Sequence, residues 1–244
     1  MSSIPIDVLR EILEHVDKAD LPTLCRVNKI FCSCSQDVLY RELDYEDADA
    51  IQTLAGSTDL ARRVRSFHIS GEYPGLATAL RNMSSLRSLD HESNTYKTSF
   101  LDGCTFKLDS FETTLSNSES LQKFLKSQTS LTSLTIWGDY DPLPPFDERC
   151  LPNLTRVMAS PSWLRILIPG RPVREVILPA YFTIDLSVFT LSTNPIQKLQ
   201  IHSDVLYPKP ESLLVSIFPS LVHLVVSAYD VEWGERVRLY LSIY

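Results

Sequence analysis

The chain has 244 residues, of which 44% are hydrophobic and 22% charged, the composition of an ordinary folded domain. Its 23 Lys and Arg against 30 Asp and Glu leave a net charge of −7, which argues against a nucleic-acid partner read through a basic stripe. Only 7 glycines occur, and none can be arranged as a P-loop or as G-x-G-x-x-G, so the glycine-built phosphate cradles of nucleotide enzymes are excluded.

The first segment, Met1-Ser2-Ser3-Ile4-Pro5-Ile6-Asp7, carries neither a basic cluster nor a long apolar run, so no secretory signal is expected. From there to about residue 43 the pattern is helical. Val8, Leu9, Ile12, Leu13 and Val16 recur at helical spacing, with Asp7 and Glu11 in the first turn. Asp20-Leu21-Pro22 reads as a second helix start, with Asp20 at the cap and the proline inside the first turn. Leu24, Val27, Ile30 and Phe31 give one apolar face, and Val38, Leu39, Tyr40 and Leu43 a further apolar group. Three short helices in some 40 residues are too few to bury a good core alone, so a partner is expected.

The acidic stretch Asp44 to Asp49 is expected to be a solvated linker, and the basic knot Arg62-Arg63-Val64-Arg65 to cover a helix end. Beyond it the sequence repeats. Apolar residues at a position a, at a+3 and more loosely at a+5 recur with a at 64, 86, 108, 131, 154, 173, 196 and 221, at intervals of 22, 22, 23, 23, 19, 23 and 25. All but one interval fall in the leucine-rich-repeat range of about 20–29 residues. Residues a+3 and a+5 are expected to point inward from a short strand, with a packed beneath them. Helix-like stretches lie between, at Leu76 to Met83 and Ser120 to Gln128. The asparagine usual at a+8 is approximated only by Asn94, Asp139 and Asp204. A strand plus a helix cannot hide its own apolar face, so stacking into a solenoid is expected.

Positions a+2 and a+4 then face the opposite side of the sheet. In the second half they supply Arg156, Met158, Glu175, Lys198 and His223, with Trp137 at the edge. These six are the candidate substrate-binding residues, because aromatic and Arg anchors dominate protein interfaces. The tail Val237 to Tyr244 is apolar where a solenoid cap is expected to be polar. Either it folds back as a last helix, or the array is a shortened relative of a longer one; the latter is favoured and predicts self-association through that edge.

Constellations for chemistry are weak. Cys25, Cys32 and Cys34 with His15 lack zinc-ligand spacing, and the five cysteines do not form a disulfide framework. No metal, no cofactor and no catalytic residue is expected. A reducing compartment is expected, cytoplasm or nucleus, with no membrane partner, because Ser212 to Tyr229 reads as helix, turn and strand rather than a span.

The segment Ile4-Pro5-Ile6-Asp7-Val8-Leu9-Arg10-Glu11-Ile12-Leu13, with Asp20-Leu21-Pro22-Thr23-Leu24-Cys25-Arg26-Val27-Asn28-Lys29 and Leu39-Tyr40-Arg41, resembles an F-box. The chain as a whole resembles the F-box/leucine-rich-repeat proteins numerous in mushroom-forming fungi. Its departures are Ile4 for Leu, Phe31 for Trp and Tyr40 for the closing Trp, all apolar. The resemblance implies a three-helix F-box over residues 1–44, a linking segment over 45–62, and a leucine-rich-repeat array with a curved parallel sheet and outer helices over 63–244.

It also implies a substrate receptor of an SCF-type cullin–RING ubiquitin ligase that does no chemistry itself. The F-box would dock on a Skp-type adaptor and the repeats on a protein substrate. Ile4, Pro5, Val8, Leu9, Ile12, Leu13, Leu21, Leu24, Val27, Phe31, Leu39 and Tyr40 match the family's core and adaptor-facing pattern, with Ile4, Pro5, Leu9 and Tyr40 leaning to the partner. The alternative is a repeat scaffold whose F-box no longer binds an adaptor.

Overall fold

The computed structural model describes residues 4–45, 48–93, 98–115, 118–138, 147, 149–179, 184–202, 218–229 and 236–242. The chain divides into two compact units, 1–107 and 108–244.

The first unit opens with three helices, α1 (Ile6–Glu14), α2 (Leu21–Leu24) and α3 (Lys29–Leu39). Helix α3 starts at Asn28, whose side-chain oxygen accepts from the backbone N–H of Ile30 and Phe31 at 2.9 and 3.0 Å, satisfying two donors that the helix itself cannot. Asp20 stands at the start of α2 with Pro22 in its first turn, but its carboxylate makes no capping bond. The core of this bundle is small: Leu9, Leu13, Leu21 and Cys34, flanked by half-buried Val16, Leu24, Phe31, Val38 and Leu39.

Strand β1 (Glu42–Tyr45) follows directly and pairs in parallel with β2 (Ser66–Ser70), which pairs in parallel with β3 (Ser88–Glu92). Asp44 therefore lies on a strand, not in a solvated linker. The rest of that segment is occupied by helices α4 (Ala48–Gly56) and α5 (Thr58–Ala61). Helix α6 (Leu76–Asn82) starts at Gly75, which has φ 88°, a left-handed conformation that glycine adopts freely. Asn82 closes the end of α4 by donating to the carbonyls of Leu54 and Ala55.

The second unit contains β4 (Ser110–Thr113), α7 (Glu119–Ser127), β5 (Ser133–Ile136), β6 (Arg156–Ala159), α8 (Pro161–Leu167), β7 (Glu175–Ile177), β8 (Lys198–His202) and β9 (His223–Tyr229). Consecutive strands from β4 to β9 pair in parallel. This mixed architecture of a parallel sheet with intervening helices is solenoid-like in each unit. Fully buried Arg171 holds the loop before β6: its guanidinium donates to the carbonyls of Cys150, Ile166, Pro169 and Asp147 at 2.7–3.0 Å.

Strands β2 to β9 all begin at a+2 of the repeat registers read from the sequence. The a residues, from Val64 to Leu221, are buried, as are the a+3 residues Phe67, Leu89, Phe111, Leu134, Val157, Val176, Leu199 and Leu224. One backbone feature repeats with them. The carbonyl at a+1 accepts from the N–H groups at a+1 and a+2 of the next repeat, seen at Arg65, Asp109, Thr132, Thr155, Arg174 and Gln197, with lengths of 2.8–3.1 Å. Arg41 accepts in the same way from Arg65 and Ser66. Tyr40, Leu43 and Tyr45 are thus a further register, hidden in sequence because Leu43 reads equally well as the end of the helical segment.

Residues Arg236–Ser242 form β10, antiparallel to β9, with Arg236 opposite Tyr229 and Ser242 opposite His223. Of the two readings of the tail, this replaces the last helix by a strand, as the alternation of Val237, Leu239 and Leu241 allows; the favoured reading, a shortened array that self-associates, is a separate matter. The a+8 residues Asn94, Asp139 and Asp204 lie outside the described residues.

Candidate functional site

The helical segment carries an unusual surface. Ile4, Ile6, Val8, Ile12, Val27 and Ile30 are exposed, between 45% and 58% of each remaining open to solvent. The spacing of α1 explains this. Leu9 and Leu13 form the stripe that enters the small core, while Val8 and Ile12, one turn apart, form a second apolar stripe beside it. A helix needs one apolar stripe to pack; the second has no partner within this bundle. Val27 and Ile30 flank Asn28 where α2 gives way to α3. Several exposed large apolar side chains on one small bundle mark an interaction surface.

The expected adaptor-facing residues therefore separate into groups. Ile4, Pro5, Val8, Ile12 and Val27 are exposed. Leu24, Phe31, Leu39 and Tyr40 are half-buried. Leu9, Leu13 and Leu21 are 4%, 1% and 0% exposed and pack in the core of the bundle, so Leu9, expected to lean to the partner, is not on the open surface of the free chain. Ile6 and Ile30 belong to the open surface and were absent from the expected set. A helical wheel centred on Leu9 and Leu13 distinguishes Val8 and Ile12 from the core, a step that the family pattern alone does not take.

In the second unit, pairing places Arg156, Glu175, Lys198 and His223 side by side at a+2 of β6 to β9. Their charges alternate, and Arg156 Nε lies 3.5 Å from Glu175 Oε1. Met158 starts the neighbouring row, aligned with Ile177, Gln200 and Val225. Trp137 is 46% exposed and donates from its indole N–H to Glu112 Oε1 at 3.0 Å. The expected substrate-binding residues thus share one sheet face.

On the first unit the corresponding face carries a charged row that the sequence reading did not assemble. Asp44, His68 and Asp90 are aligned at a+4 of β1, β2 and β3. His68 Nδ1 lies 2.7 Å from Asp90 Oδ2, and Nε2 lies 3.8 Å from Asp44 Oδ1. Partial burial opposes protonation of His68, but the bond to Asp90 and the charges of Asp90, Asp44 and Glu92 outweigh it and raise its pKa. His91, on the opposite face, is fully buried against Phe100, ring centroids 4.5 Å apart, and its nitrogens have no hydrogen-bond partner among the described residues. Burial lowers its pKa to about 4, against the opposing pull of Glu72 and Asp90.

Burial pushes the Cys104 thiol up to about 11 and raises Cys25, the reverse of what a nucleophilic cysteine needs. Among the described residues no group of three or more His, Cys, Asp or Glu is placed to hold a metal ion. No helix among them is long and apolar enough to cross a membrane.

An F-box domain family model matches residues 1–42. The match spans α1 to α3 and stops at the first residue of β1, so it coincides with the bundle that bears the open apolar stripe. An F-box suggests an adaptor-binding role in SCF ubiquitin ligase complexes, where such domains bind Skp1-type adaptors. F-box proteins are typically substrate adaptors rather than enzymes. No curated protein matches the chain.

Proposed function

We propose that the chain is a substrate receptor of an SCF-type cullin–RING ubiquitin ligase. The observation that carries this reading is the coincidence of the F-box match with the exposed side chains of Ile4, Val8, Ile12, Val27 and Ile30. These would enter the apolar surface of a Skp-type adaptor. Fully burying such a side chain is worth roughly 1.5–3 kcal/mol before association costs, and each of these is about half exposed, so several must dock together to contribute.

The repeats, read as degenerate leucine-rich repeats on their spacing and strand register, would hold a protein substrate. Its docking surface in this reading is the sheet face with Trp137, Arg156, Met158, Glu175, Lys198 and His223. The alternating charge of Arg156, Glu175 and Lys198 favours a substrate segment of mixed charge rather than a uniformly acidic or basic one. The receptor contributes binding and positioning; the ligase partners supply the chemistry, in the cytoplasm or nucleus.

Affinity purification from the native cell tests both halves. Recovery of an adaptor and a cullin with the wild-type chain, and loss of other proteins but not the adaptor on changing Arg156, Glu175 and Lys198 to alanine, is the expected result. An adaptor absent from the purified material would leave only the scaffold reading.

A further inference from the structure

The basic knot of the sequence begins at Arg62, the C-cap of α5, the helix-end position expected of it, and its side chains reach beyond that helix. Arg62, Arg63 and Arg65 meet Arg10 of α1 and Arg41 of the α3–β1 junction around a cleft of about 360 Å³, in which Asp37 is the one carboxylate among the described lining residues. Five of the chain's 23 Lys and Arg residues thus converge on a single cavity of a protein with net charge −7.

The guanidiniums are not equivalent. Arg63 bonds to Asp37, to Asp59 at 3.2 Å and to the Ser33 carbonyl at 3.0 Å. Arg10 lies 3.3 Å from Asp37 and 3.9 Å from Asp7, and Arg41 lies 2.7 Å from Glu14. Arg65 donates to the Ser85 carbonyl at 3.1 Å and has no carboxylate partner among the described residues. The side chain of Arg62 makes no hydrogen bond or ion pair among them. Two exposed guanidiniums without counter-charge therefore stand beside three that are already fixed in place.

We propose that this cleft binds the phosphate group of a small phosphorylated molecule. Planar guanidinium forks match the oxygens of a phosphate in pairs, and a dianion relieves the mutual repulsion of the uncompensated charges. The volume lies at the small end of ligand pockets, which suits a compact anion rather than a macromolecular segment. Arginine supplies the cradle that the chain's few glycines cannot.

The site is independent of the apolar stripe. Arg10 is two residues from both Val8 and Ile12, so it projects from the opposite side of α1, about 200° away. Adaptor docking and anion binding can occur together.

The experiment is titration of the full chain with pyrophosphate and, separately, with O-phosphoserine, against sodium chloride at matched ionic strength, read by calorimetry and by Tm. Saturable binding and a raised Tm with either compound are expected, and which one acts distinguishes a diphosphate from a phosphomonoester as the group recognised. Arg62→Gln and the double change Arg62→Gln with Arg65→Gln should weaken binding at least about 10-fold each; Arg62→Gln should leave the Tm without ligand unchanged, because its side chain has no partner among the described residues, whereas the double change also gives up the Arg65 bond to the Ser85 carbonyl. Responses to both compounds equal to that with chloride, or unaltered affinity in the variants, would overturn the proposal.

Discussion

Arg63, three residues before β2, forms an ion pair with Asp37 on α3, and so ties the helical bundle to the first full repeat of the same unit. The pair is largely shielded, with 17% and 26% of the side chains open to solvent. Asp37 keeps a second partner in Arg10, and Arg63 a second carboxylate in Asp59.

Removing Arg63 takes a side-chain donor from the Ser33 carbonyl and leaves Asp37 with Arg10 as its remaining cation among the described residues. Arg63→Ala is expected to lower stability by about 1.5–3 kcal/mol, the range for hydrogen bonds to charged groups. Arg62→Ala, at the adjacent position but without a side-chain partner among the described residues, should stay within about 0.5 kcal/mol. Urea denaturation of both variants checks the contrast.

The sheet should respond to substitution by face. Val176 and Leu199 are 0% and 1% exposed, so Val176→Asp or Leu199→Asp buries an unpaired charge and should prevent folding of the second unit. Arg156→Ala, Glu175→Ala and Lys198→Ala change an outward row and should each cost within about 0.5 kcal/mol. Circular dichroism and thermal melts separate the two classes. Stable aspartate variants with unfolded alanine variants would mean a strand register wrong by one residue.

Two histidines should give the protein opposing pH responses. His91 has a lowered folded-state pKa of about 4, so the unfolded chain takes up its proton first. The stability His91 confers is present above about pH 6.5 and is lost as pH falls toward 4, with a slope of up to about 1.4 kcal/mol per pH unit. His68 has a raised folded-state pKa, so its contribution is complete below the ordinary histidine value and is lost as pH rises through the folded one. Denaturation between pH 4 and 8 should show His91→Leu flattening the acid side, and His68→Ala flattening the neutral side.

How much of this was legible in sequence depended on period and packing. The strands were legible because Leu134, Val157, Val176 and Leu199 recur with little choice of alternative face, and the interval sets the repeat. Strand β1 was not, because Tyr40 and Leu43 satisfy a helix end and a strand start alike, and only the Arg41 carbonyl's bonds to Arg65 and Ser66 decide it. The family pattern named the apolar positions of the bundle but did not divide core from surface. That division follows from where the stripe of Leu9 and Leu13 enters the core, since Leu9 differs from Val8 by 100° of helix rotation rather than by chemistry. The arginine cleft needed residues 10, 41 and 65 brought together from separate elements, which no local spacing reveals.

The central claim rests on the second stripe of α1, and the informative residue is Ile12 rather than Leu9. Leu9→Asp would charge the core and unfold the bundle, so loss of binding in that variant would say nothing about docking. Ile12 is 49% exposed, and a charge there meets water in the free protein but an apolar surface in the complex. The measurement is calorimetric titration of a purified Skp-type adaptor into the wild-type chain and into Ile12→Asp, with the Tm of both recorded. The account predicts saturable one-to-one binding by the wild type, and binding at least about 100-fold weaker in the variant at an unchanged Tm. Equal affinity of the two chains for the adaptor, or no binding by a folded wild-type chain, would contradict it.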